Sequence, residues 1–322
     1  VTDLATEFEA ERDHLTSVAY RMLGSRAEAE DAVQDAWLRY ASADRAQIRD
    51  PRGWLTTTTG RICLDVLRSA RVRREAYVGP WLPEPIVERL PAVDTDPAER
   101  AARTDQVGLA LLVVMERLTP EQRVAFVLHD MFAVPFDEIA GTLGVSAAAA
   151  RQLASRARRA VADGGPRHTA GLAEQRRVVQ AFLAAADRGD LRGLIAVLDP
   201  DGVAISDGGG HVTASRRPVL GAEKVARFVA GLWGRREDRM DRLRVEPVLV
   251  NGDFGLLIEG AWADGRPYRQ VASFAVTEGR ITGLFSQLNP EKLARVQTDS
   301  FSLERHAAPS EVLPLVRSSE PS

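Results

Sequence analysis

The chain changes its hydrophobic period partway along, and one small domain cannot accommodate both patterns. From about Thr6 to Arg74, and again from Thr104 to Val161, apolar residues recur at three- and four-residue intervals, as in helices with one buried face. Asp163-Gly164-Gly165-Pro166 interrupts that pattern. From Leu243 onward apolar and polar residues alternate, in runs separated by Asn251-Gly252, Asp264-Gly265 and Glu278-Gly279. Asn-Gly and Asp-Gly between alternating runs signal hairpins, because tight hairpin turns need φ > 0. A helical half therefore precedes a half built on a β-meander, and 322 residues suffice for two or three cores.

Within the helical half, Phe136 to Val161 reads as two helices and a tight turn. Phe136–Leu143 is the first helix, ended by Gly144 in the left-handed conformation, and Ser146 N-caps the second. Ile139, Ala140 and Leu143 face inward, Val145 plugs the turn, and Ala150, Leu153, Ala157 and Val161 line the inner face of the second helix. Its outer face carries Arg151, Gln152, Ser155, Arg156, Arg158 and Arg159. Apolar inside and arginine outside suits a helix lying in a DNA major groove, although a solvated hairpin shows the same pattern. Net charge is only −3, so attraction to DNA must come from local patches such as this one and Arg61 to Arg74. Cys63 stands alone in an apolar helical stretch, which makes it a core residue and excludes an intrachain disulfide. The five histidines show no metal-ligand spacing, so no metal or other cofactor is expected. No apolar run is long enough for a transmembrane helix, and the acidic start is unlike a secretory signal; a cytoplasmic protein without a membrane partner is the expectation.

The first 75 residues read as three helices. Gly24 ends the first, and Ser25 with Glu28 caps Arg26 to Tyr40. Asp50-Pro51 starts the third, where proline's missing N–H costs nothing. From Glu75 to Asp105 the composition turns proline-rich and loses its period, which marks a linker. About thirty residues could extend to roughly 100 Å. Two helical turns of DNA measure ~70 Å, so such a linker could hold two domains on separated sites. Within it Trp81-Leu82-Pro83-Glu84-Pro85 is too apolar for a plain spacer: it packs on a domain, fills a partner's channel, or forms a local polyproline turn.

Three segments together resemble a known family. Ala29–Arg39 (AEDAVQDAWLR), Asp50–Leu55 (DPRGWL) and Arg61–Arg68 (RICLDVLR) are similar to domain 2 of bacterial extracytoplasmic-function sigma factors. Leu118–Arg123 (LTPEQR) ahead of the helix-turn-helix resembles domain 4, although Ala150 replaces a larger aliphatic residue more usual there. The resemblance implies core RNA polymerase and promoter DNA as partners. It assigns Asp31, Gln34, Asp35 and Arg39 to the polymerase clamp, and the region Ala41–Arg74 to opening and reading the −10 element. Arg45, Arg49, Arg52, Arg61, Asp65 and Arg68 offer polar groups for holding a flipped base and tracking the strand. Trp54 is expected to pack in the core. The arginine face of Arg151–Arg159 would then read the −35 element.

After residue 166 the order is helix, helix, short strands at Val203–Ser206 and His211–Ala214 around Asp207-Gly208-Gly209-Gly210, a helix to Trp233, and the meander. Helices on one face of a curved antiparallel sheet make an α+β cone, similar to the SnoaL-like branch of the nuclear transport factor 2-like fold. A subgroup of the sigma family, the sigma-J type, carries such a domain. Its marks here are Trp81–Pro85, Asp207–Gly210 and Asn289–Leu293 (NPEKL), with Glu291 where aspartate is usual. The resemblance implies a built-in regulator contacted through Trp81, Leu82, Pro83, Asp207, Asn289, Pro290, Lys292 and Leu293. SnoaL-like enzymes use an Asp/His pair, for which Asp207, His211 and Asp187 are the candidates. The glycines around Asp207 instead suggest a turn, so no catalysis is expected; the cone could still bind a small ligand, which no residue names.

The expected fold class is multidomain: two all-α sigma domains, the second with a helix-turn-helix, followed by an α+β cone. The expected boundaries are 1–75, a linker 76–104, 105–163, a SnoaL-like domain 171–297, and a disordered tail 298–322. Two alternatives remain open at the level of sequence. One is a stand-alone helix-turn-helix regulator with a ligand-sensing cone; the other is an isomerase or cyclase with a DNA-binding appendage.

Overall fold

The computed structural model describes residues 4–75, 77–90, 107–163, 170–235 and 240–296. The expected tail, the linker centre and the start expected for the second sigma domain lie outside these. The chain divides into two compact units, with cuts after Tyr77, Ala110 and Gly165. The division follows packing and not chain order. Both sigma-like segments lie in one unit, while the first part of the linker belongs to the other.

The helical unit begins with α1 (Leu4–Leu23), α2 (Arg26–Ser42) and α3 (Pro51–Glu75), joined through a 3-10 turn at Arg45–Gln47. Ser25 accepts from the Glu28 amide, and Gly24 takes φ 69, as the local sequence requires. Phe8, Leu15, Ala19, Leu23, Ala29, Ala36, Tyr40, Leu55 and Ile62 close the first core. Trp54 stacks obliquely on Tyr40 at 5.7 Å. Cys63 is fully buried, and burial pushes its thiol pKa well up, so it is an inert core residue. Across the second part run α4 (Leu109–Met115), α5 (Pro120–Phe126) continued by a π-helical turn to Met131, α6 (Phe136–Leu143) and α7 (Ala147–Asp163). Thr119 and Gln122 form a complete capping box around Pro120.

The contacts that fasten these helices to α3 and α1 include three around α5 and the turn after it. Gly60 on α3 leaves room for Leu128, whose Cδ1 would lie 3.2 Å from an added Cβ. Arg68 meets Glu121 at 3.0 Å. The third is Arg123, only 2% exposed: its Nη1 donates to the Met22 carbonyl at the end of α1 and to Glu116, and its Nε to the Met115 carbonyl. A buried guanidinium is tolerated because its fork finds these acceptors.

The second unit holds α8 (Leu172–Asp187), α9 (Leu191–Val197), α10 (Ala222–Trp233) and a seven-stranded sheet. Its strands are β1 (Val87–Arg89), β2 (Leu198–Asp207), β3 (Val219–Leu220), β4 (Met240–Val250), β5 (Asp253–Trp262), β6 (Pro267–Thr277) and β7 (Arg280–Gln287), with α11 (Pro290–Leu293) after them. The spatial order is β1-β4-β5-β6-β7-β2-β3. On one face Val179, Phe182, Leu183, Val225 and Val229 pack on Phe254, Leu256, Phe274 and Ile281. Bulges in the β2–β7, β4–β5 and β6–β7 pairings curve the sheet into the expected cone. Asn251 and Gly252 both take φ > 0, as their turn demands.

Three expectations are corrected. The sheet is mixed, because β2 runs parallel to β7. His211–Ala214 is not a strand: the His211 and Val212 amides fold back on the Gly208 carbonyl, and the partner of Val203–Ala204 is Val219–Leu220. Val145 does not plug its turn but is 38% exposed; the turn closes through its amide on the Ala140 carbonyl.

Candidate functional site

The polar centre of the second unit lies on the sheet face opposite α8 and α10. Along β2, Ala204 faces the helices, so Asp207 points to the other side, beside Gln287 of β7. Asp207 is 0% exposed. Its Oδ2 accepts from the Leu82 amide at 2.9 Å and from Lys292 Nζ at 2.7 Å, and its Oδ1 from the Gly209 amide at 3.0 Å. Lys292 Nζ also donates to the Leu82 carbonyl at 2.7 Å and lies 4.0 Å over the Trp81 ring. Carboxylate, carbonyl and π face are three forms of negative potential converging on one ammonium. Gln287 Nε2 reaches the Leu82 and Pro83 carbonyls at 3.4 and 3.3 Å. Asp207, Lys292 and Gln287 thus satisfy the backbone of a linker segment that would otherwise be buried with unmet polar groups.

The linker is held at further points. Asn251 Oδ1 accepts from the Ile86 amide, its own amide donates to the Ile86 carbonyl, and Val87–Arg89 then adds to β4 as an edge strand. Asn251 Nδ2 donates to the Val107 carbonyl, so residues from both ends of the linker meet at one side chain. Sequence reasoning read Asn251 only as a turn former and missed Gln287. What could have pointed to Gln287 is a polar residue in phase with the buried Phe285.

The three glycines have separate reasons. A Cβ at Gly208 would overlap the Val212 carbonyl. Gly209 has φ 62 and its Cβ would overlap the Asn289 carboxamide, while Gly210 has φ 81 and lies against Val78. Asn289 in turn caps α11, accepting from the Glu291 amide. Pro290 opens that helix and Leu293 is 1% exposed. The eight residues expected to make regulatory contacts are therefore all part of, or next to, one clasp. Gly209→Ala is expected to push Asn289 aside and to cost about 1–2 kcal/mol from the left-handed backbone alone. Hydrogen exchange at the start of α11 checks it: exchange unchanged from the parent contradicts this packing.

In the helical unit, Asp31, Gln34, Asp35 and Arg39 form an exposed stripe on α2, with Leu38 58% exposed among them. Of the residues expected at the −10 element, Arg49 is exposed and has no side-chain partner among the described residues. Arg45 pairs with Glu7 at 2.6 Å and lies over Tyr40. Arg52 meets Glu11 at 3.6 Å and His14 Nδ1 at 3.3 Å. Burial, then the Arg52 charge, lowers the His14 pKa, which favours the neutral imidazole. Arg61 donates to the Gly141 carbonyl at 2.7 Å, and Arg68 reaches Glu121 and, at 4.0 Å, Asp65. Arg61 and Arg68 are thus engaged by α6 and α5.

On α7, Ala150, Ala154 and Ala157 are buried, with Leu153 and Val161 only partly so. Small residues let the helix pack closely. Gly144 takes φ 67 and Ser146 Oγ accepts from the Ala149 amide, as the turn requires. Arg151, Gln152, Arg156, Arg158 and Arg159 are exposed, and Ser155 is half-buried. Arg158 is tied to Asp130 at 2.7 Å and Arg151 lies over Phe136. Gln152, Arg156 and Arg159 have no side-chain partner among the described residues.

The candidate acid–base group does not assemble. Asp207 is enclosed on the linker side of the sheet, His211 is exposed beside Glu291 at 3.4 Å, and Asp187 accepts from the Trp233 indole at 2.7 Å. Among the described residues no His/Cys/Asp/Glu group could hold a metal, and no helix is long and apolar enough to cross a membrane.

Exposed polar stripes on a helical pair, a helix-turn-helix with a basic face, and a cone that holds the linker between them define an RNA polymerase sigma factor with a fused SnoaL-like domain. Residues 8–73 match the sigma-70 region 2 model, residues 108–161 the sigma-70 region 4 model, and residues 179–284 the SnoaL-like domain model. The chain belongs to the extracytoplasmic-function (ECF) RNA polymerase sigma factors. It is 45% identical over 318 residues to the ECF RNA polymerase sigma factor SigJ of Mycobacterium tuberculosis, covering 95% of this chain and 96% of that one. It is 39% identical to the probable ECF sigma factor SigI of the same species, over 71% of this chain and 77% of the other. The crystal structure of the M. tuberculosis SigJ matches with a TM-score of 0.68 and 42% identity, covering 90% of this chain and 98% of that one.

Proposed function

We propose that the SnoaL-like domain regulates this sigma factor by holding its interdomain linker, and that the clasp around Asp207 is the switch. The supporting observation is that one buried carboxylate joins the linker, the glycine-rich loop and the Asn289–Leu293 segment. An extended linker could span roughly 100 Å. With Leu82, Ile86 and Val107 tied to the cone, that reach is withdrawn. Promoter elements ~70 Å apart then become accessible only when the clasp opens. Tethering makes a weak clasp sufficient, because the linker is presented to the cone at roughly mM effective concentration. No catalysis is part of this reading: Asp207 is already spent on the linker amide and Lys292.

We assign Asp31, Gln34, Asp35 and Arg39, with Leu38 among them, to core polymerase. Arg45, Arg49, Arg52, Arg61, Asp65 and Arg68 serve the −10 element. Arg61 and Arg68 must first leave Gly141 and Glu121, so engagement of the −10 element is coupled to separation of α3 from α5 and α6. At the −35 element Gln152, Arg156 and Arg159 act directly, while Arg151, Ser155 and Arg158 orient the helix and contact DNA at its margins. The protein then acts wherever polymerase is, in the cytoplasm.

Promoter binding measured against salt tests the −35 assignment. Arg156→Ala is expected to lower the slope of log K against log salt by ~1, as loss of one phosphate contact requires. An unaltered slope and affinity would remove Arg156 from the interface. A direct readout role would appear instead as relaxed preference at one base pair, at a cost of ~1–3 kcal/mol.

A further inference from the structure

Beside the clasp, a cavity of about 210 Å³ lies between the linker residues Val78–Pro80 and the loop that follows β2. Drug-sized ligands occupy pockets of roughly 300–1,000 Å³, so this one suits a smaller molecule. Its lining residues include Arg216, His211 and the hydroxyl-bearing Ser206, Thr213 and Ser215, and no Asp or Glu. Ser206 is 6% exposed, yet its hydroxyl takes part in no hydrogen bond among the described residues. Arg216 is exposed and likewise unpaired there. The Ser206 hydroxyl keeps some contact with solvent, so an occupant of the cavity can take the place of water there. Two acids border the lining: Asp207, between Ser206 and Gly208 and paired with Lys292 at 2.7 Å, and the largely exposed Glu291, which faces His211 at 3.4 Å.

We propose that this cavity binds a small anion, a carboxylate or a phosphate group on a small molecule. Arg216 supplies the charge, and Ser206, Thr213 and Ser215 supply polar contacts. The anion competes with Glu291 for His211. Because Ser206 precedes Asp207, and a Cβ at Gly79 would lie 3.9 Å from the Arg216 Cα, an occupant touches the linker and the Asp207 loop together. Binding therefore biases the clasp, in the direction of whichever linker position fits the anion better. That regulatory consequence rests on the clasp reading above; the binding itself does not.

The full-length protein is titrated with inorganic phosphate and, separately, with malonate, at constant ionic strength set by sodium chloride. Chemical shifts of the Gly208, Gly209 and Gly210 amides are the readout. Saturable shifts with a Kd in the range of roughly 1–10 mM are expected for at least one probe, and the stronger of the two gives the class. Arg216→Gln, an exposed change that leaves the core alone, is expected to weaken binding about tenfold, and Ser206→Ala severalfold. No saturable shift with either probe up to about 20 mM overturns the proposal, and so does an Arg216→Gln variant that binds as the parent does. Binding accompanied by normal transcription from an Asp207→Ala variant would keep the site and remove only its regulatory role.

Discussion

Asp207→Ala should release the linker while leaving the cone folded. The carboxylate is fully buried and accepts from the Leu82 amide, Gly209 amide, Gln287 and Lys292. Its removal leaves the ammonium of Lys292, whose side chain is only 14% exposed, without its counter-ion. Breaking one partner of a buried pair costs about 3–5 kcal/mol, well above the ~0–1 kcal/mol of surface bridges such as Arg12–Glu9. The main apolar core lies on the opposite sheet face, among α8, α10 and the inward strand residues, so the loss concentrates on the linker. Amide exchange at Leu82 and Ile86 is expected to accelerate roughly 100-fold or more, while Phe254 and Phe274 keep their protection. Asp207→Asn retains the shape and an acceptor for Leu82 but not the charge, and should fall between. Parent-like exchange at Leu82 in Asp207→Ala would show that the linker is held by other means.

Arg123→Met carries the second large effect, in the helical unit. Methionine fills much of the same volume but abandons the Met22 and Met115 carbonyls and the Glu116 carboxylate. The Glu116 side chain is only 17% exposed, so its charge is left poorly compensated. The expected loss is about 3–5 kcal/mol, or a fall in Tm of roughly 6–20 °C for the transition of this unit. Arg123→Lys keeps the charge but cannot make the fork, and should recover only part of it. The Met22 bond is the one that joins α5 to α1. Loss of that bond should therefore also loosen α3 from α5 and α6, freeing Arg61 and Arg68 from Gly141 and Glu121. A Tm equal to that of the parent would mean Arg123 is a bystander.

Most of the fold was legible because its signals are local. Gly144 and Ser146, Thr119 with Gln122, and Asn251-Gly252 act through backbone conformation or a hydrogen bond three residues away, and each does what its residue type dictates. The clasp was visible only as three marked segments, through resemblance. Its chemistry joins Leu82 to Asp207 across 125 positions and Lys292 to Leu82 across 210, separations about which no periodicity speaks. One compositional hint existed. The chain has just two lysines, Lys224 and Lys292, in a background of arginine. A compact ammonium fits between a carboxylate, a carbonyl and an indole where a planar guanidinium would not.

The mixed sheet was missed because β2 and β7 are distant in sequence, so hairpin turns say nothing about their pairing. His211–Ala214 looked like a strand by composition, but the glycines before it spend their freedom on folding that segment back. Hydrophobicity alone makes Val145 look like a buried plug, whereas the small inward face of Ala150, Ala154 and Ala157 already closes the helix-turn-helix. The engagement of Arg61 and Arg68 was illegible for another reason: an arginine's sequence context gives no sign of whether DNA or a neighbouring helix receives it.

Single-round transcription in vitro tests the central claim most directly. Core RNA polymerase is combined with the parent protein or with Asp207→Ala, on a promoter that the parent uses. If the clasp restrains the linker, Asp207→Ala should start more transcripts at limiting protein, about fivefold or more, with unchanged affinity for core polymerase, as ~1 kcal/mol of released restraint implies. Equal transcript yields from the two proteins, with the linker shown by exchange to be free in the variant, would contradict regulation through the clasp.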